Sequence, residues 1–313
     1  MFFTRRLTVL CKHLKQNLQR NLTTEAPVVT NVSISKPEEE RTVLVEVDNQ
    51  VMTIGINRPS KKNSLDFSTA QYLSEALDTF EANQEVKVGI LYGTNGNFCA
   101  GYDLHEIAKH NEKSDNLLPQ FSSLSSRDSL IKKPLIAAVE GFAIDVGLEL
   151  ALMCDLRLID ETASLGFLNR RFGIPIMSGG TVRLPKLIGY SRAMDMILTG
   201  RLINATEAFQ FGLANRVVNC GCAVGESAVL ASKLTFHPQE ALLADRLSAH
   251  HATFSAIHID EALQFEKDCA SNPLFNEGVR DAKKFSEEGI GKHGKIVNFY
   301  KREEVKDIRD DLL

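Results

Sequence analysis

The segment 140-EGFAIDVGLELALMCDLRLID-160 places two carboxylates, Asp145 and Glu149, at the mouth of an apolar run of Leu148, Leu150, Ala151, Leu152 and Met153. That run reads as a buried helix, and an ionised carboxylate is costly there unless it is paired or put to use. Each residue has two readings. Asp145 is either a helix N-cap accepting from the N–H of Gly147 or Leu148, or an acid whose affinity for protons is raised by apolar surroundings. Glu149 is either half of a salt bridge, with Arg157 or Arg183 as partner, or a general acid–base group within reach of a moving proton.

The rest of the chain limits the chemistry these groups could serve. With 313 residues and 43% hydrophobic composition, the chain can bury a large core in one or two domains. No apolar segment reaches the roughly 18 to 20 residues that span a bilayer. Phosphate-loop, dinucleotide-binding and serine-elbow motifs are absent from the sequence, which disfavours nucleotide hydrolysis, hydride transfer and serine esterase chemistry.

The first 24 residues carry Arg5, Arg6, Lys12, Lys15 and Arg20, no acid, and apolar groups at helical spacing, the pattern of a mitochondrial transit peptide. Removing those five cations takes the formal charge from −4 to −9, so general nucleic-acid binding is not expected. The six cysteines are scattered, with only Cys220 and Cys222 close together, and they complete no zinc site of the usual spacing. A reduced compartment fits. His250, His251 and His258 read as surface helix residues.

The elements that must position the two carboxylates alternate. A Pro-, Ser- and Glu-rich linker over 25–40 leads to a hairpin, 42-TVLVEVDNQVMTIGINRP-59, turning at Asp48-Asn49-Gln50. Phe67, Ala70, Leu73, Ala76, Leu77 and Phe80 then share one helical face over 67–83, with Ser68 as the expected cap. Strands over 86–93 and 134–141, a helix over 146–154, a strand region over 156–167 and a helix from 178 continue the alternation, which argues for crossover connections and an α/β architecture. Beyond about 190 the pattern turns helical.

Three stretches select a family: 57-NRPSKKNSLD-66, 97-NFCAGYDLHEI-107, and the opening segment continued through 178-SGGTVRLPKLIGYSRAMDMILTGRLINATEAFQFGLANRVV-218. In this order they resemble the crotonase, or enoyl-CoA hydratase/isomerase, superfamily over residues 42 to 295. The resemblance implies an α/β spiral of ββα units with a C-terminal helical trimerisation region, and hence a homotrimer or hexamer. It also implies an acyl-CoA thioester as ligand, with no cofactor beyond the coenzyme A of the substrate and no metal. The division that follows is 1–24 transit peptide, 25–40 linker, 41–218 acyl-CoA-binding core and 219–313 helical region and tail.

Carried over by position, the resemblance makes the backbone N–H groups of Tyr102 and Val146 the donors to an enolate-like thioester oxygen. Such chemistry needs preorganised donors where negative charge develops, and the first turn of a helix supplies them. Many relatives have a Gly-Gly-Gly run where this chain has Asp145-Val146-Gly147. Glu149 coincides with the first of two glutamates that enoyl-CoA hydratases use to add water, and Asn169 stands at the position of the second. An amide orients water but does not take its proton.

Arg58, Lys61 and Lys62 form a basic cluster suited to the phosphates of coenzyme A. Ala100, Gly101, Asp103 and Leu104 lie in a turn resembling the family's adenine-binding loop. Helix 67–83 has no Lys or Arg, unlike the lysine-rich helix by which some family members bind RNA. The expected activity is hydration of a 2-enoyl-CoA in the mitochondrial matrix, with Glu149, Asn169 and Asp145 as catalytic candidates. Isomerisation or decarboxylation of an acyl-CoA, and acyl-CoA binding without catalysis, are the alternatives.

Overall fold

Strands Val43–Asp48 (β1) and Val51–Ile56 (β2) form the expected hairpin, paired from Val43 with Ile56 to Asp48 with Val51. Asn49 and Gln50 both have positive φ, 44° and 69°, the left-handed pair that lets a two-residue turn follow the twist of its strands. The computed structural model describes residues 41–109, 124 and 130–291. The expected transit peptide and linker, most of the loop over 108–129 and the end of the tail lie outside the described residues.

Helix Phe67–Ala82 (α1) buries Ala70, Leu73, Ala76, Leu77 and Phe80 as its spacing predicts. Its cap is Asp66 rather than Ser68: Asp66 Oδ1 accepts from the N–H of Thr69 at 2.8 Å, and the exposed Ser68 hydroxyl bonds to the same oxygen. An N-cap residue lies outside the helix with its oxygen turned back on the first turn, and the helix already includes Ser68.

Val88–Gly93 (β3), Leu135–Val139 (β4), Leu156–Asp160 (β6) and Arg216–Val218 (β9) extend the hairpin into a six-stranded sheet of order β1-β2-β3-β4-β6-β9, parallel beyond β2. A second sheet of three strands contains Phe142–Ile144 (β5), Ser164–Gly166 (β7) and Leu202–Asn204 (β8). The single strand region expected over 156–167 is therefore two strands in different sheets, separated by a turn in which Asp160 accepts from the backbone N–H and hydroxyl of Thr162.

Period-two alternation divides β4 between two cores. Leu135, Ala137 and Val139 face the cluster containing α1, whereas Ile136 and Ala138 join Val88, Ile90 and Leu158 under helix Ala223–Thr235 (α7). A strand buried on both faces reads as one apolar run. Between them come Leu104–Ile107 (α2), Val146–Met153 (α3), Gly180–Ile188 (α4), Tyr190–Thr199 (α5) and Ala205–Gln210 (α6). The C-terminal helices Gln239–Phe254 (α8), Ile259–Pro273 (α9) and Val279–Glu288 (α10) complete the described chain.

The histidine expectation needs correction. His258 is exposed, but His250 and His251 are half-buried on α8, and His251 stacks on Phe265 at 4.0 Å. Phe265 of α9 covers His251, while His250 packs beside Phe254 of its own helix at 4.8 Å.

Candidate active site

Segment 99–103 is the frame of the site. Its backbone pairs on one side with the loop after β2, through Ala100 N–H to Lys62 O, Leu65 N–H to Gly101 O and Asp103 N–H to Leu65 O. On the other side it pairs with β5, through Cys99 N–H to Phe142 O and Ile144 N–H to Cys99 O. The first turn of α3 is thereby pressed against residues 99–101. A Cβ on Gly147 would collide with the carbonyl of Cys99, so the approach requires glycine there.

Val146 is the first residue of α3, and its N–H has no carbonyl one turn earlier to bond. Together with Tyr102 it lines a small pocket that also includes Leu104, Asp145, Glu149, Asn169, Ile174 and Pro175. The sequence-based catalytic and oxyanion candidates are thus brought to one place. The pocket measures about 10 Å³, close to the space one water molecule requires.

Glu149 is 3% exposed and forms no salt bridge among the described residues. Its Oε1 accepts two backbone N–H groups, from Ser178 at 2.6 Å and Gly180 at 2.8 Å, while among the described residues Oε2 accepts none. Burial raises the Glu149 carboxyl to about 7, opposed by the two N–H bonds and by the positive charge of Arg183. One oxygen is fixed and the other remains for chemistry near neutrality. Arg157 spends its guanidinium on the carbonyls of Leu213, Ala151, Cys154 and Asp155.

Asp145 does not cap α3 with its side chain. Its backbone stands at φ 54°, ψ −120°, a strained region for a residue with a Cβ. That conformation turns the carboxylate across the site, where Oδ1 accepts the N–H of Asn169 at 2.8 Å and Oδ2 lies against Gly101. Burial raises the Asp145 carboxyl to about 6, opposed by the N–H groups of Asn169 and Leu168. Of the two residues that stand where relatives have glycine, Asp145 takes the positive φ, whereas Val146 is helical and buried.

Asn169 is 6% exposed in the short helical turn Leu168–Phe172. Its carboxamide makes no hydrogen bond among the described residues and borders the pocket. The phenol of Tyr102 reaches the hydroxyl of Ser178 at 3.0 Å, joining segment 99–103 to the turn that holds Glu149. Sequence reasoning missed Ser178 and Gly180 as partners of Glu149, though both lay in a quoted motif.

The basic cluster divides. Arg58 forms ion pairs with Asp66 at 2.9 Å and Asp103 at 3.2 Å and also donates to Ser64 O, so its guanidinium organises the loop. Lys61 and Lys62 are exposed, with the Lys62 ammonium 4.8 Å from the ring centre of Phe142. Asp103 additionally caps α2 through the N–H of His105. Among the described residues no group of three or more His, Cys, Asp or Glu is placed to hold a metal ion.

The family model for enoyl-CoA hydratase/isomerase matches residues 46–288. The short-chain-enoyl-CoA hydratase of Clostridium acetobutylicum is 31% identical over 249 residues, covering 78% of this chain and 94% of that protein. The mitochondrial methylglutaconyl-CoA hydratase of Mus musculus is 35% identical over 187 residues, 58% of this chain and 60% of that protein. The crystal structure of enoyl-CoA hydratase from Bacillus anthracis superposes with a TM-score of 0.72 at 29% identity, covering 79% of this chain and 97% of that one. With this architecture and this match over most of its length, the chain belongs to the enoyl-CoA hydratase/isomerase family and has the crotonase fold.

Proposed function

We propose that the enzyme hydrates a 2-enoyl-CoA. The observation that carries this reading is Glu149: one oxygen is clamped by two N–H groups, the other is unengaged among the described residues, and both stand beside a pocket the size of one water. In the proposed reaction the thioester oxygen lies between the N–H groups of Val146 and Tyr102. Glu149 takes a proton from water, the water oxygen bonds to the β-carbon, and the electron pair moves to the thioester oxygen as an enolate. Those donors stabilise the developing charge. The enolate then collapses, and the α-carbon takes a proton from a carboxyl group.

Asp145 is the second acid–base group in this reading. It lines the same pocket, and its raised proton affinity leaves part of it protonated near pH 6. The Asn169 carboxamide orients the water. Lys61 and Lys62 face the phosphates of coenzyme A, and the 99–104 turn receives the adenine.

The proposed assembly is a homotrimer or hexamer. Large apolar side chains that stand exposed in the single chain support it, among them Ile257, Ile259, Phe275 and Phe285. The proposed location is the mitochondrial matrix, supported by the basic, acid-free residues 1–24 and by mitochondrial relatives in Mus musculus and Dictyostelium discoideum. No helix among the described residues is long and apolar enough to cross a membrane.

The test is mass spectrometry of short- and medium-chain enoyl-CoA, malonyl-CoA and hydroxyacyl-CoA thioesters incubated with the protein and with Glu149→Gln. The expected result is gain of one water by an enoyl-CoA, lost in the variant. Loss of carbon dioxide, or tight binding without turnover, would overturn the hydration reading. Light scattering showing a monomer would overturn the trimer.

A further inference from the structure

A second cavity lies apart from the pocket at Glu149. It measures about 320 Å³, within the range of small-ligand sites, about 300–1,000 Å³. It lies behind the active site, between the end of α3, the helix α4 and the helix α8. Its apolar wall includes Leu152, Leu187 and Phe254, and its polar wall includes Arg183 and Arg246.

Among the described residues the charge lining this cavity is unbalanced: Arg157, Arg183 and Arg246 border it against one carboxylate, Asp155. Asp155 is already engaged, with Oδ1 accepting from Arg246 Nε at 2.7 Å and Oδ2 from the backbone N–H of Leu135 at 2.9 Å. Arg157 is spent on carbonyls. Among the described residues Arg183 uses only Nη1, on the carbonyl of Ser178 at 3.0 Å. The remaining guanidinium N–H groups of Arg183 and Arg246 have no acceptor among the described residues. His250, also on the wall, is held toward its neutral form by burial and by these two arginines.

We propose that this cavity is a second ligand site, taking a free carboxylate with a short apolar tail, and that its occupancy is transmitted to Glu149 through Arg183. The carboxylate meets the open N–H groups of Arg183 and Arg246, and the tail lies against Leu152, Leu187 and Phe254. Charge-assisted pairing in a half-buried site favours the anion, and the apolar wall selects for a hydrocarbon tail over an inorganic ion.

The transmission has a short path. Arg183 holds the carbonyl of Ser178, and the N–H of the same residue holds Glu149 Oε1. Gly179, at φ 95°, has no room for a Cβ because the Arg183 guanidinium lies against it. An anion on Arg183 offsets the positive charge that favours ionised Glu149, so the proton affinity of Glu149 rises and less of the base form is present at neutral pH. This second step rests on the role assigned to Glu149, whereas the binding step does not.

The test is calorimetric titration of the full chain with sodium hexanoate, repeated for Leu187→Trp, which fills the cavity, and for Arg246→Gln, with folding of each followed by circular dichroism. The expected result is saturable binding to the wild type and at least about tenfold weaker binding to folded Leu187→Trp. Saturating hexanoate is expected to move the acidic limb of the pH–activity profile upward without competing with the acyl-CoA. Competition with acyl-CoA would place the anion in the active site and overturn the proposal. Equal binding of sulfate would overturn the apolar-tail requirement, and absence of binding would overturn the site itself. Binding with no change in the profile would overturn the coupling alone. A wild type without hydratase turnover that still binds hexanoate in this way would count against the role of Glu149, not against the cavity.

Discussion

The carboxylate of Asp145 accepts the backbone N–H of Asn169 at 2.8 Å, so two of the residues that depart from the hydratase pattern are bonded to each other. One strained residue fixes the turn that carries the other. Replacing Asp145 by Asn keeps an acceptor for that N–H and removes the titration near pH 6. The expected outcome is a folded protein with turnover reduced about 10²-fold or more and with the corresponding limb missing from the pH–rate profile. Asp145→Ala, which removes the acceptor, is expected to lose stability as well, by about 1–3 kcal/mol, measured by urea unfolding.

Glu149 gives a prediction about stability whose sign is definite. Its carboxyl is raised from 4.5 to about 7 in the folded chain, so between those values the folded state binds more protons than the unfolded state. Stability from this group is therefore present below about 4.5 and falls as pH rises toward 7. Glu149→Gln does not titrate. The variant is expected to gain stability relative to wild type across that window, by on the order of 3 kcal/mol, as followed by denaturant unfolding at a series of pH values. A difference independent of pH would contradict the burial effect.

Gly147 tests the oxyanion frame. In Gly147→Ala the new methyl group meets the carbonyl of Cys99, and the first turn of α3 must withdraw from residues 99–101. The expected result is a loss in kcat of about 10²-fold to 10³-fold, with the binding of coenzyme A itself little changed in calorimetry.

Lys61 and Lys62 are expected to act on binding alone. Exchanging both for Ala should raise KM by about tenfold at low salt and leave kcat unchanged. Arg58→Gln should instead lower the melting temperature, because it leaves Asp66 and Asp103 without their shared cation.

Much of this was legible in the sequence because the signals are local. The hairpin at Asn49-Gln50, the apolar face of α1 and the helix at Val146 follow from turn chemistry and periodicity. What could not be read depends on contacts between distant residues. The N–H groups that hold Glu149 come from 29 and 31 residues away, and a carboxylate clamped by backbone gives no charge pattern to detect. The direction of the Asp145 carboxylate was not legible for another reason: it depends on a positive φ that the residue type permits but does not announce. The division of 156–167 into two sheets was hidden because both strands are short, five and three residues, and only a brief turn separates them.

The pairing order of the large sheet has a consequence for how the protein folds. Val51 pairs with Val88, Gly89 with Leu135, and Leu158 with Arg216, so each parallel ladder must close a long stretch of chain before its contacts yield any stability. Such closure is slow. The frame at 99–103 also joins segments distant in sequence, the loop at 62–65 and β5, so catalytic activity should return after most of the backbone signal during refolding.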